Sequence, residues 1–303
     1  MSLHVWSSAK YTFPLPDGHR FPISKYAVLR DRVLAEGVVA REDVHEPARV
    51  PRDDLLLVHT ADYVDRFTRG ELTRDEERRL GFPWSEALVE RSYRTAGATV
   101  EVARHALDHG IAMNLAGGTH HAFPDHGEGY CVFNDVAIAI RALQRDGRIA
   151  RAAVVDLDVH QGNGTHAVFA GDERVFTFSM HGGKNYPFHK VPGRADIELA
   201  DGTGDDEYLA LLADALPPVL AAARPELVIY LAGADPHEHD RLGRLSLSFD
   251  GLARRDTLVI ERCREAGIPV ALTIAGGYGV AIDETVRIHV ETARIAAGFA
   301  SSR

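Results

Sequence analysis

The chain has 303 residues, 45% of them hydrophobic, and a formal net charge of −10. That length is enough for one large domain or two small ones, and an acidic balance with no basic run argues against a broad nucleic-acid surface. No apolar stretch reaches the length of a membrane span, and the opening MSLHVWSSAKYTFP lacks a basic segment followed by an apolar core, so a cytoplasmic location without a signal peptide is expected.

Short apolar runs read as buried parallel strands. In chain order they are HVWS near residue 4, LLLVHT at 55–60, AMNLAGG at 112–118 and AAVVDLDV at 152–159. RVFTFSM at 174–180, ELVIYLAGAD at 226–235 and PVALTIAGG at 269–277 follow. Helical patterns lie between them, notably 85–107 and 207–223. No linker, repeat or low-complexity tract divides the chain. The expectation is a single α/β domain over 1–303, with a central, mostly parallel sheet flanked by helices. The two cysteines, Cys131 and Cys263, lie far apart and are expected to be reduced, buried thiols.

Several of these strands run out into polar or Gly-rich chain: NLAGGTHH, VDLDVHQGNG, FTFSMHGG, YLAGADPHEHD and TIAGGYG. In open parallel sheets, sites form beyond the carboxyl ends of the strands. On an extended strand Asp156, Asp158 and His160 would share one face, where two anions repel unless a positive group stands near. Asp158 and His160 can each give a metal one ligand atom, and Asp235, also following an apolar strand, is the best third candidate. Two carboxylates and an imidazole suit Zn²⁺ with positions left open for water and substrate. The same set accepts Fe²⁺ or Co²⁺. The adjacent His120 and His121 would offer a base and an acid near neutral pH, or else form a surface pair or extra ligands. Tyr278, between glycines that let its loop swing, would donate to a developing oxyanion, or simply mark a turn. The acidic balance leaves room for a local acidic rim that could attract a cationic substrate.

GGTHHAF, GYCVFND, DLDVHQGNGT, FSMH, LAGAD and AGGYG together resemble the histone deacetylase family, over roughly Gly117 to Gly279 and more weakly before it. HQGNG and 201-DGTGDDEYL-209 look most like its class IV branch and bacterial relatives. The resemblance implies an arginase/deacetylase-like fold. It implies Zn²⁺ on Asp158, His160 and Asp235, and His121 as general base and then acid. It also implies an electrostatic His120 held by Asp156, and Tyr278 polarising the substrate carbonyl. Gly129 and Tyr130, with Tyr186 opposite, would line a channel for the lysine stem. Asp156, Asp158, His160, Ser179 and the carbonyl of Met180 would bind a structural K⁺.

Asn163 stands where many members of that family carry Asp, so His121 is expected to be harder to protonate here. His237, Glu238 and His239 are expected in a solvated loop. The implied activity is removal of acyl groups from Nε-acyl-lysine of a protein or peptide. The rival enzymatic reading is an acetylpolyamine or other small acyl-amine amidohydrolase, which would need an obstructed, acidic channel. A reading of another class is a catalytically silent acyl-lysine binding module.

Overall fold

Alternation within the apolar runs decides where the core lies. Ala153 and Val155 face one buried layer, with Val228, Tyr230, Val270 and Leu272. Ala152 and Val154 face the other, with Leu227, Ile229, Leu231 and Ala271. A strand buried on both faces belongs to a sheet covered on both sides. The computed structural model, which describes residues 2–300, has that arrangement.

Its strands are β1 (Val5–Trp6), β2 (Val44–His45), β3 (Ile111–Asn114), β4 (Ala152–Asp156), β5 (Val175–Gly182), β6 (Ala195–Leu199), β7 (Leu227–Leu231) and β8 (Val270–Thr273). They form one eight-stranded sheet in the order β2-β1-β3-β8-β7-β4-β5-β6. Every pairing within it is parallel. Helices Lys25–Ala35, Asp205–Ala223, Phe249–Glu265 and Ile282–Ala300 supply apolar residues to the first layer. Helices Ala61–Arg69, Glu86–His109 and Asp135–Arg145 supply the second. The strand order matters for function, because β3, β8, β7, β4 and β5 are consecutive. Their carboxyl-terminal loops therefore open side by side.

Some of the expected elements differ. The run at 55–60 is not a strand. It continues the helical turn Arg52–Leu55, with the His59 N–H donating to the Leu55 carbonyl, and ends at Thr60, whose side chain caps the next helix by accepting from Tyr63 N. Pro51 followed by Asp53 and Asp54 is a helix-start signature that outweighs the apolar run. The edge strands β2 and β6 carry no apolar run to betray them: β2 has two residues, and β6 alternates half-buried with exposed positions. The helix expected over 207–223 runs Asp205–Ala223 and takes Pro217 and Pro218 within it. Cys131 and Cys263 are both free and buried. Among the described residues, no helix is long and apolar enough to cross a membrane.

Candidate active site

β4 ends at Asp156, so Asp158 and His160 stand on irregular chain rather than on one face of an extended strand. The chain turns because side chains capture its own amides. Asp156 Oδ1 accepts from the Asp158 N–H at 3.2 Å, and Asp158 Oδ1 from the His160 N–H at 2.9 Å. The neighbouring loop is tied in by Asp235 Oδ1, which accepts from the Val159 N–H at 2.9 Å. Asp158 Oδ2 accepts from Gly276 N at 2.7 Å, which brings the β8 loop to the same point.

Asp158, His160 and Asp235 are buried, and each offers a ligand atom within 4.8 Å of the others. His160 Nδ1 lies 2.9 Å from Asp158 Oδ1 and 3.2 Å from Asp235 Oδ2. The trio fits a divalent cation on three counts. Asp235 Oδ2 is buried without a hydrogen-bond partner of good geometry. Burial and the Asp158 charge push the Asp235 carboxyl up to about 7, a mark of crowded anions. Gly276 leaves the room they need, since a Cβ there would stand 1.9 Å from Asp235 Oδ2 and 2.6 Å from Asp158 Oδ2. Among the described residues this is the one group of its kind, and the His237–His239 segment forms no second centre.

The tandem histidines arrive on a loop that Asp135 holds. Its carboxylate accepts from Gly118 N at 3.0 Å and Thr119 N at 2.8 Å. Gly117 and Gly118 take φ of 77° and 76°, which favours glycine. His120 Nδ1 meets Asp156 Oδ2 at 2.6 Å. Burial opposes a charge on His120, but Asp156 and Asp158 outweigh it and raise its pKa to about 9. His121 is the opposite case. Burial, with positive charge at His120 and His160, holds it well below its ordinary value.

Asn163 fixes which nitrogen of His121 is free. Its Nδ2 is 2.7 Å from Glu128 Oε1, and Glu128, lowered by its polar partners against its burial, can only accept. The amide oxygen therefore faces His121 Nδ1 at 2.7 Å, and that nitrogen carries the proton. Nε2 is left as the acceptor. Glu128 was not singled out in the sequence, although it stands one residue before Gly129.

Both backbone groups of Tyr278 are engaged. Asp240 Oδ2 accepts from its N–H at 2.6 Å, and Arg241 Nε donates to its carbonyl at 3.0 Å. Burial, then the charges of Asp158 and Asp235, raise its phenol far above the ordinary value, so it stays a donor. The segment after Asp235 is thus partly structural, and His237 is buried against the Phe249 ring at 4.4 Å between centroids.

Gly129 passes so near His121 that a Cβ would stand 2.7 Å from its Cδ2. The Tyr186 ring stands perpendicular to His121, with centroids 4.9 Å apart, and Tyr130 lies 5.9 Å from Tyr278. Gly129, Tyr130, His121 and Tyr278 line a cavity of about 80 Å³ whose wall also includes Phe21 and Phe82. These two aromatics come from two separate segments with no recognisable motif. Ser179 is buried on β5 directly opposite Asp156, and Met180 follows it, also buried.

Arg255 is a further residue the sequence did not mark. Fully buried, its Nη1 donates to the carbonyls of Gly233 at 2.6 Å and Leu157 at 3.3 Å, while Asp256 balances its charge. It pins the backbone beside both Asp158 and Asp235. The residues lining the mouth include no Asp or Glu and six Arg or Lys, the opposite of the acidic channel the polyamine reading needs.

The histone deacetylase domain model matches residues 19–293. An uncharacterised protein of Picosynechococcus is 46% identical over 279 residues, covering 92% of this chain and 93% of its own. Histone deacetylase 2 of Arabidopsis thaliana is 33% identical over 269 residues, covering 86% and 70%. The solved structure of a deacetylase homolog from Aquifex aeolicus superposes with a TM-score of 0.86 at 23% identity, covering 98% of this chain and 84% of that one, and shares the fold. A match across nearly the whole sheet, together with relatives above 30% identity, is decisive: the chain belongs to the histone deacetylase family.

Proposed function

We propose that the protein is a zinc-dependent amidohydrolase that removes acyl groups from Nε-acyl-lysine. One observation carries this reading: His121 and Tyr278 line the same aromatic-walled cavity as Asp158 and His160, which Asp235 completes as a buried trio of ligand atoms. Asp158, His160 and Asp235 would hold the ion, and their chemistry suits Zn²⁺ while also accepting Fe²⁺. A bound divalent ion supplies Lewis acidity, easing loss of a proton from water and polarising the acyl carbonyl.

The chain's own residues do the rest. His121 Nε2 takes the proton of the attacking water and then returns it to the amine as the C–N bond breaks. Tyr278 donates to the acyl oxygen as it gains charge. His120, charged through Asp156, adds a fixed positive field and moves no proton. Gly129, Tyr130 and Tyr186 enclose the lysine stem and exclude water from it. Asp156, Asp158 and His160, with Ser179 and the Met180 carbonyl, are assigned to a structural K⁺ that would offset the carboxylates from behind. The affinity to class IV members rests on Asn163 and the 201–209 stretch.

The polyamine alternative needs anions where this mouth has cations, and the silent-module alternative needs a broken ligand set where this one is whole. The test is turnover of a fluorogenic acyl-lysine series from acetyl to myristoyl, run beside acetylspermidine, with metal analysis of the protein. Hydrolysis of at least one peptide supports the reading. Turnover of acetylspermidine alone, or bound zinc without turnover, refutes it.

A further inference from the structure

We propose that the channel mouth selects acyl-lysines set among acidic residues, an inference that rests on the deacylase reading and names its substrate class. The mouth, about 550 Å³ in volume, is lined by Arg20, Arg78, Arg79, Lys184, Arg241 and Arg244, and by no carboxylate. They come from four separate segments: the loop before helix Lys25–Ala35, the end of helix Arg74–Leu80, the chain after β5 and the loop after β7. Such a concentration is not what composition dictates in a chain of net charge −10.

Only part of this charge is balanced nearby. Arg78 pairs with Asp75, while Lys184 and Arg244 share Asp201 at 3.6 Å and 3.1 Å. Arg241 Nε is spent on the carbonyl of Tyr278, which carries no net charge. Arg20 and Arg79 are exposed and lie within ion-pair distance of no described carboxylate. Phe188, 82% exposed on the same rim, adds an apolar platform beside Tyr186 at 6.2 Å. A surface of one sign focuses oppositely charged ligands and repels like-charged ones. A peptide whose acyl-lysine enters the channel must lay its flanking residues over these cations. Asp or Glu there gains attraction, while Lys or Arg meets repulsion.

The test compares three peptides with one acyl-lysine, flanked by Asp/Glu, by Ser/Gly or by Lys/Arg, on the metal-loaded full chain. The expected order of kcat/KM is acidic, neutral, basic, with about tenfold between acidic and neutral at low salt. The difference should lie in KM and shrink near ~1 M salt, where screening acts within about 3 Å. Arg20→Gln with Arg79→Gln should collapse the acidic-to-neutral ratio. Equal kcat/KM for the three peptides, or a preference insensitive to salt, overturns the proposal. So does competitive inhibition by a single-stranded oligonucleotide when acidic flanks bring no gain, which would assign the mouth to nucleic acid. Fluorescence anisotropy of the same peptides separates the two claims. Tighter binding of the acidic peptide without any turnover removes the hydrolase reading and leaves the selection standing.

Discussion

The Glu128 carboxylate sits 2.7 Å from the Asn163 amide nitrogen and thereby decides the protonation of a residue it does not touch, His121. Because a carboxylate accepts and never donates, the amide cannot be turned round without losing a hydrogen bond worth about 1.5–3 kcal/mol. Negative charge is thus present behind the second histidine, but one residue further back than an aspartate at 163 would put it.

That arrangement fixes a pH dependence. The base works only when neutral, and burial with two neighbouring imidazoles keeps His121 well below its ordinary value. Activity should therefore persist as pH falls and be lost only as it passes through that depressed pKa. Asn163→Asp adds a charge that favours the imidazolium, so the acid limb of the kcat/KM profile should move upward by about one unit or more. A pH–rate profile checks this, and an unmoved acid limb would count against the role given to Asn163.

His121 and Tyr278 should be separable from His120 by kinetics. His121→Ala removes a general base, and its kcat should fall about 10²–10⁴-fold. Tyr278→Phe loses a donor needed only as charge develops, so its kcat should fall about 10²–10³-fold with KM nearly unchanged. His120→Asn keeps polar contact with Asp156 but drops the positive charge, and a smaller loss is expected. Steady-state kinetics on one acyl-lysine peptide measures all three.

Much of this was legible because apolar runs ending in polar chain mark strand termini, and five such termini fall on consecutive strands. Asp158, His160 and Asp235 could be chosen for that reason. Their approach could not be derived from strand alternation, since β4 stops at Asp156 and hydrogen bonds shape the turn beyond it. Arg255 shows why supporting residues stay hidden. Arg254 and Arg255 are adjacent on one helix, yet the first side chain is 56% exposed and the second fully buried. Nothing in the Arg-Arg-Asp string tells them apart. The basic mouth is hidden for a similar reason: its cations are scattered from residue 20 to residue 244 and meet only in the fold.

Arg255 gives a prediction of its own. Arg255→Lys keeps a positive charge beside Asp256 but has no planar fork to hold Asp256 through two nitrogens while a third serves both carbonyls. The backbone at Leu157 and Gly233 should loosen, and metal affinity should fall about 10–100-fold, as when a residue supporting ligands is altered. Arg255→Gln also strands Asp256 without its cation and should cost about 3–5 kcal/mol of stability. Competition with a chelator reads the first effect and thermal unfolding the second. A lysine variant that holds its metal as tightly as the wild type would remove this role.

The most direct test of the account is metal content measured together with turnover, in the wild-type protein and in Asp235→Ala. The account predicts a stoichiometric divalent ion in the wild type, and loss of both ion and activity in the variant while the fold survives. An Asp235→Ala protein that keeps its ion and its full rate would contradict it.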